Sequence, residues 1–507
     1  MVSANPRIRR AAALLGAALA LALPSHASEE STAALERRYL AARDLEATGQ
    51  FSQAREMYLD IATVEAANPR RDDALLGLVR IALGASGPEE PIPSATSAAA
   101  LLEARQHLAA IVDGPPGADA APEAAYWLAL LQLDPRAPFF DPAAAQAELT
   151  AYPRLYPGSA FSRGAMLRAS ELLVESGRAD AARQLAFRVL ASGAEGNEAA
   201  AAWRVMGEAE ARAGRAQPAL AALGRSVQIA PEGPQARAAQ DLAAIVDRTA
   251  FARSRGPAGG YAPVGEPIAL PGRVADLAAQ ADGTLVALFA RDGELVSIGT
   301  DGKAKGRVTA IGASAVALDR YGRTWLAAPG RLLVGDGGTS IPLPSGSEVV
   351  SIAPIGPLST WVADADQRRV VRLNGDGTVT VTAPLPPRAD PVRVAAAADG
   401  GVWVLEMRGP TLLGYGPGGE QRASVALADR VPKPVDVRSD ALGNAYLLAA
   451  KPVAVYVFDP AGKLVLTWEP AVAEPAREFP RPALLAVDGA GQFALYDSKL
   501  ENVRWWR

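Results

Sequence analysis

The apolar residues of this chain change their period near residue 255, and no other feature constrains the fold as much. Up to about residue 250 the chain is rich in Ala, Leu, Arg and Glu, with apolar positions at helical spacing. From about 262 to 507 it is rich in Val, Gly, Pro and Asp-Gly pairs, with short alternating runs that read as strands joined by turns. Between the two, Arg253, Gly256, Pro257, Gly259 and Gly260 mark a linker, placed at 251–262. Helices gathered in one half and strands in the other predict two separately built parts rather than an alternating α/β sheet.

The helical half repeats. Trp203, Met206, Gly207, Glu210, Gly214, Ala219 and Pro231 mark one helix–turn–helix unit. Small residues let its two helices approach, Gly214 turns the chain, and Pro231 ends the second helix. Gly177, Ala179 and Ala182 repeat the turn, as do Gly49, Phe51, Ala54 and Tyr58. Hairpins near 70–113 and 121–155 are more degenerate, and a closing helix is expected at 233–249. The spacing resembles the tetratricopeptide (TPR) repeat of about 34 residues, which implies an α-solenoid over 28–250 with a groove lined by first helices. Arg38, Arg43, Arg80, Arg163, Arg168 and Arg204, beside Glu171 and Glu208, are the candidates for that groove; ordinary solvated helix faces are the competing reading. Tyr152, Pro153, Tyr156, Pro157 and Ser159 resemble the connector of bacterial envelope tetratricopeptide proteins, among them outer-membrane-assembly lipoproteins and periplasmic partners of the Tol system.

The second half repeats with a longer period. Its unit is an apolar strand, an Asp or turn residue, Gly, and a strand with an apolar or aromatic anchor. The anchors are Val286, Trp325, Trp361, Trp403, Tyr446 and Ala494. A recurrence of about 40 residues with several strands per unit predicts a six-bladed β-propeller over 263–507. Asp364, Arg369 and Gly377, with Phe458, Asp459, Gly462, Asp497 and Asn502, resemble the NHL repeat. The last unit lacks its final strand, and Pro267 to Leu270 has the character of that strand. It is expected to latch the ring closed, which removes an open edge.

Residues 1–27 read as a secretory leader: Arg7, Arg9 and Arg10 precede an apolar run from Ala11 to Leu23, and Ser25 and Ala27 place cleavage after Ala27. A periplasmic or outer-membrane-associated protein of a bacterium follows as the expectation, with no transmembrane span in the mature chain. The formal net charge of −4 becomes more negative once those arginines leave, which argues against nucleic-acid binding.

The chain has no Cys and two His, His26 and His107. Thiol nucleophiles, disulfides and Cys-ligated metal are therefore excluded. His107 falls on a predicted helix and reads as a helix-face residue. The propeller has no His, unlike the His-dependent lyases of NHL-like fold. Asp364 and Asp366 read as turn-closing carboxylates rather than a calcium loop. Glu348, Asn374, Glu406 and Asp436 are available to a channel calcium site of the lactonase type, though their spacing defines no common layer. The resemblance to NHL propellers implies that the loops carrying Arg368, Arg369, Arg388, Arg408, Lys433 and Arg481 share one face, where they could meet an anionic or acidic partner; scattered solubilising charge is the competing reading. The expected function is a non-catalytic scaffold without a cofactor, binding envelope proteins or peptides through the groove and a propeller face. The alternative is a lactonase-like hydrolase, or a sensor of metal or small molecules.

Overall fold

The computed structural model describes residues 26–64, 68–115, 119–251, 260–280, 282–335, 339–356, 358–470 and 475–507. The predicted leader, apart from its last two residues, lies outside them, as does most of the linker.

Among the described residues eleven helices come first: α1 His26–Ala47, α2 Phe51–Ala62, α3 Arg71–Leu83, α4 Ala98–Val112, α5 Ala121–Leu131, α6 Pro142–Leu155, α7 Ser162–Glu175, α8 Ala179–Ala191, α9 Gly196–Arg212, α10 Ala216–Ile229 and α11 Pro234–Phe251. Eleven is the number that five pairs and a closing helix require, and α1 packs on α2, α3 on α4, α7 on α8 and α9 on α10. Gly49, Gly177 and Gly214 follow α1, α7 and α9 with φ of 76°, 76° and 73°, so each ends a helix in the left-handed conformation glycine adopts without steric cost. Gly207 faces Leu223: a Cβ there would lie 2.6 Å from the leucine side chain, so α9 and α10 pack at a distance only glycine permits.

Packing divides the chain into two units, one ending at Ala125 and one beginning at Tyr126. In the first, Tyr58 and Arg80 both donate to Glu46, at 2.6 and 2.8 Å. Burial on its own would raise the Glu46 pKa, but these donors and the Arg80 charge hold it below the usual value. His107 sits on α4, mostly buried, with its Nε2 3.6 Å from Glu103.

The second unit contains α6–α11 and the strands. The strands are β1 Pro263–Ala269, β2 Asp276–Ala279, β3 Leu285–Phe289, β4 Glu294–Ile298, β5 Ala304–Thr309, β6 Ala315–Leu318, β7 Thr324–Ala328, β8 Arg331–Val334, β9 Thr339–Pro342, β10 Val349–Gly356, β11 Ser359–Asp364 and β12 Arg369–Leu373. There follow β13 Val379–Ala383, β14 Pro391–Ala396, β15 Val402–Glu406, β16 Thr411–Tyr415, β17 Gln421–Ala426, β18 Pro434–Ser439, β19 Ala445–Ala450, β20 Val453–Phe458, β21 Leu464–Trp468, β22 Pro482–Val487, β23 Phe493–Asp497 and β24 Asn502–Trp506, with one helical turn, α12 Pro475–Glu478, before β22.

They form six four-stranded antiparallel sheets. Blades one to five are β2–β5, β6–β9, β10–β13, β14–β17 and β18–β21. The sixth has the order β1-β24-β23-β22, so the first strand completes the last blade. The latch begins earlier than the sequence suggests. Ala262 and Arg507 exchange both backbone hydrogen bonds, at 2.8 and 2.9 Å, and Tyr261 is buried beside Phe493. Trp505 and Trp506 alternate across β24 and are both buried. Trp506 stacks among Trp468 and Phe493 toward blade five, and Trp505 packs toward blade one.

Two of the recurrent tryptophans bond across to the next blade, while Trp325 donates to Asp319 of its own blade. Trp361 of blade three donates its indole N–H to the Gly400 carbonyl of blade four at 3.1 Å, and Trp403 donates to Gly443 of blade five at 2.9 Å. In blade five the equivalent side chain is Tyr446, and Tyr261 supplies the hydrogen bond to Gly491, at 2.7 Å.

Candidate functional site

Three regions of the second unit bring functional groups together: the hub, the loop face away from the helices, and a cavity on the face toward them.

The hub is set by the innermost strands. Ala278, Ala317, Ala353, Ala395 and Ala486 stand opposite the anchors of their blades, and the same position in blade five is Arg438. The five small side chains leave room for one long one. Arg438 donates to Asp276 at 2.5 Å, lies 3.5 Å from Asp436, and donates through Nε to the Leu485 carbonyl. Arg393 lies 3.5 Å from Asp276 and 3.4 Å from Asp436. The two carboxylates also accept backbone N–H groups, Asp276 from Leu277 and Val316, Asp436 from Val437 and Leu485. Two anions and two cations thus close a neutral, buried cluster. Burial alone would raise the Asp276 pKa, but the Arg438 and Arg393 charges hold it below the usual carboxylate value. Of the four acceptors proposed for a channel cation, only Asp436 reaches the hub. Glu348 is exposed at the mouth, Asn374 begins a turn on the opposite face, and Glu406 closes a turn. Among the described residues no group of three or more His, Cys, Asp or Glu is arranged to hold a metal ion.

Turn closure recurs on the loop face. Asp364 accepts from the backbone N–H groups of Glu348 and Gln367 and from Arg369 Nε; Glu406 accepts from Asp390, Arg408 and Gly409; Asp497 accepts from Arg481, Lys499 and Leu500. Each carboxylate ties the loop after a second strand to the loop entering that blade, as short acceptors do in turns.

In an antiparallel meander these two loop sets lie on one face, and they carry Arg368, Arg369, Arg388, Arg408, Lys433 and Arg481. All are exposed except Arg369, which pairs with Asp364 at 3.2 Å. Arg368, Arg388 and Lys433 have φ of 48°, 63° and 49°, the left-handed region that favours glycine. The same loops carry exposed Asp366 and Asp390.

The groove candidates of α7 and α9 are tied to neighbours. Arg204 donates to Glu171 and Gln235, each at 2.6 Å; Arg168 donates to Glu171 at 2.8 Å; Arg163 lies 2.6 Å from Glu198. The same helices meet the propeller. Arg212 donates to the Ala398 and Ala441 carbonyls, Arg320 of blade two donates to the Glu175 carbonyl, and Phe140 stands edge-on to Tyr321 at 4.9 Å. From α11, Arg248 donates to the Ala490 and Gly491 carbonyls, both at 3.2 Å, with its guanidinium 4.8 Å over the Tyr261 ring. Between the turns of α7–α8 and α9–α10 and blade four lies a cavity of about 570 Å³, mostly apolar, rimmed by Arg178, Arg212, Arg215 and Arg422.

The architecture defines the class: an α-helical half followed by a six-bladed β-propeller latched by its own first strand. No family model matches the sequence, and no curated protein matches it. Among solved structures, virginiamycin B lyase from Staphylococcus aureus is similar over 47% of this chain and 82% of its own, at 13% identity and a TM-score of 0.36. A gluconolactonase from Xanthomonas campestris is similar over 49% and 98%, at 16% identity and 0.35. Regucalcin, a calcium-binding protein from Agrobacterium tumefaciens, is similar over 48% and 92%, at 13% identity and 0.34. At these values the likeness bears on neither ligand nor activity; the count of six blades rests on the strand pairing itself.

Proposed function

We propose that the protein is a non-catalytic interaction scaffold of a bacterial cell envelope, built from tetratricopeptide-type helix pairs and an NHL-like propeller. The hub carries the reading. Its carboxylates are neutralised by two guanidinium groups and held by backbone N–H groups, which leaves no open acceptor set at the position where a propeller hydrolase needs one. What the molecule presents outward is the loop face. There, Arg368, Arg388 and Lys433 hold conformations that glycine would adopt at lower cost, which supports a use for their side chains. An acidic surface of an envelope protein or peptide is the partner this face fits. The leader at 1–27 and the tetratricopeptide-like connector at Tyr152–Ser159 support the compartment. No helix among the described residues is long and apolar enough to cross a membrane.

The test is site-specific photo-crosslinking in intact cells from positions beside Arg388 and Lys433. It compares the wild type with a variant carrying Arg388→Glu, Arg408→Glu and Lys433→Glu. Discrete crosslinked partners that the variant loses support the scaffold. An unchanged crosslinking pattern, or a hydrolase activity of the purified protein that Asp436→Asn abolishes, overturns it.

A further inference from the structure

We infer that α11 is a clasp on the ring closure: the last helix and the first stretch of the latch open as one unit, so displacing α11 from blade six frees residues 261–264 and with them one half of the seam. The device is independent of what the loop face binds.

The latch is held in two stretches. Pro263 and Val264 stand opposite Trp506 and Trp505, and Ile268 and Ala269 opposite Val503 and Asn502, with the register shifting between them. The second stretch continues into Leu270, which donates to the Glu501 carbonyl at 2.8 Å. The first ends at the exchanged pair of Ala262 and Arg507 and at Tyr261. A strand interrupted in this way can let go of one stretch and keep the other.

The first stretch and α11 meet on one carbonyl. Gly491, in the blade-six turn, accepts from the Tyr261 hydroxyl at 2.7 Å and from Arg248 of α11 at 3.2 Å. Arg248 also donates to the Ala490 carbonyl, and its guanidinium covers the Tyr261 ring, whose centroid lies 4.8 Å from Phe493. The turn is closed on from two more sides: a Cβ at Gly491 would lie 2.6 Å from the Tyr446 hydroxyl and 3.2 Å from Ile245 of α11. Tyr261 and Arg248 are both buried, and each is part of what covers the other. Loss of either leaves its partner exposed and the Gly491 carbonyl short of a donor, so the two sites are coupled, and coupling of this kind acts in both directions.

The rest of α11 is seated away from the latch. Leu242, Ile245 and Val246 share a cluster with Leu223 of α10 and Leu442 of the blade-five turn, and no latch residue belongs to it. Phe251 ends the helix and Tyr261 follows ten residues later, so the chain leaves the blade-six turn through α11 and returns to it at the start of the latch. A disturbance of the helix seat therefore reaches the seam through Arg248 and Tyr261.

The experiment is native-state hydrogen exchange in rising denaturant, read amide by amide on the full chain lacking only residues 1–27. In the wild type, the amides of Ala262 and Arg507 should merge with those of residues 242–246 onto one opening curve, below that of blades two to four, while Leu270 follows the blades. Leu242→Ala truncates the seat without altering a latch residue and should speed exchange at Ala262 and Arg507 about tenfold or more, leaving Leu270 with the blades. In the other direction, Tyr261→Phe should speed exchange within α11 about fivefold. Three results overturn the inference: separate opening curves for α11 and Ala262 in the wild type, exchange at Ala262 unmoved by Leu242→Ala, or an acceleration spread equally over Leu270 and blades two to four.

Discussion

Removal of one member of the hub cluster is the sharpest test of how the propeller is held. Asp276 is about 1% exposed and lies 2.5 Å from Arg438 and 3.5 Å from Arg393. Asp276→Asn keeps an oxygen for the Val316 N–H but deletes the charge. It leaves two guanidinium groups facing the single carboxylate of Asp436, which lies 3.4 Å from one and 3.5 Å from the other. Breaking a buried pair in this way costs about 3–5 kcal/mol, because the remaining charge is left uncompensated. Arg438→Met leaves the opposite imbalance and should cost about the same. The double variant removes both excess charges, so its loss should fall short of the sum of the two by about 1–3 kcal/mol. Trp325, Trp361, Trp403, Trp468, Trp505 and Trp506 place most of the indole signal in the propeller, so fluorescence-monitored urea unfolding reads the right part of the chain. The pH dependence supplies a second check. A carboxylate whose folded pKa is depressed contributes stability that is present above its unfolded value, near 3.9, and is lost as pH falls through the folded value. The wild type should lose this contribution below about pH 4, and Asp276→Asn should show a flatter acid limb. Single variants within about 1 kcal/mol of wild type, or strict additivity in the double, would refute the reasoning.

Other outcomes follow from the same structure. Arg248→Ala removes two charge-assisted hydrogen bonds to blade six and the contact with the Tyr261 ring, so it should cost about 2–4 kcal/mol and split a single calorimetric transition into two. Asp488, on the blade-six turn beneath α11, is pushed by burial up to about 6. Its ionisation is therefore a penalty that is absent below pH 4 and complete above pH 7. Asp488→Asn should stabilise the protein by up to about 3 kcal/mol at pH 8 and change little at pH 4, as read by urea midpoints. Trp403→Phe removes the indole bond to Gly443 and leaves that buried carbonyl without its donor, at a cost of about 1–3 kcal/mol in the same assay.

The repeats and the ends of the helices were legible because single residue types carry them. Gly49, Gly177 and Gly214 each end a helix where only a residue tolerant of positive φ ends it cheaply, and each is visible as glycine. The latch was legible because the last unit is one strand short and an apolar strand stands unused before the first. Its true start was not, since Tyr261 looks like linker beside Gly259 and Gly260. Only its hydroxyl bond to Gly491 and its stacking on Phe493 reveal it as core. The common face of the basic loops was an expectation from the likeness to NHL propellers, not something the spacing of those residues shows. Whether those residues were paired was not legible either, and Arg369 proved to be held by Asp364.

The hub was hidden for a different reason. Glu348, Asn374, Glu406 and Asp436 all carry acceptors that a channel cation could use, but the strand register sends the first three elsewhere and leaves Asp436 alone at the hub. The informative comparison is between blades at one position. Counting across from the six anchors gives Ala in blades one, two, three, four and six and Arg438 in blade five. Two residues earlier stand Asp276, Ala315, Ser351, Arg393, Asp436 and Leu484. In a ring of near-equivalent sheets, charges at the axis face one another whatever their distance along the chain, so one arginine among alanines needs an acid from another blade. Asp276 lies 162 residues from Arg438 in sequence yet within hydrogen-bonding distance of it. The departure from repetition, rather than the repetition itself, marks where the ring is bound together.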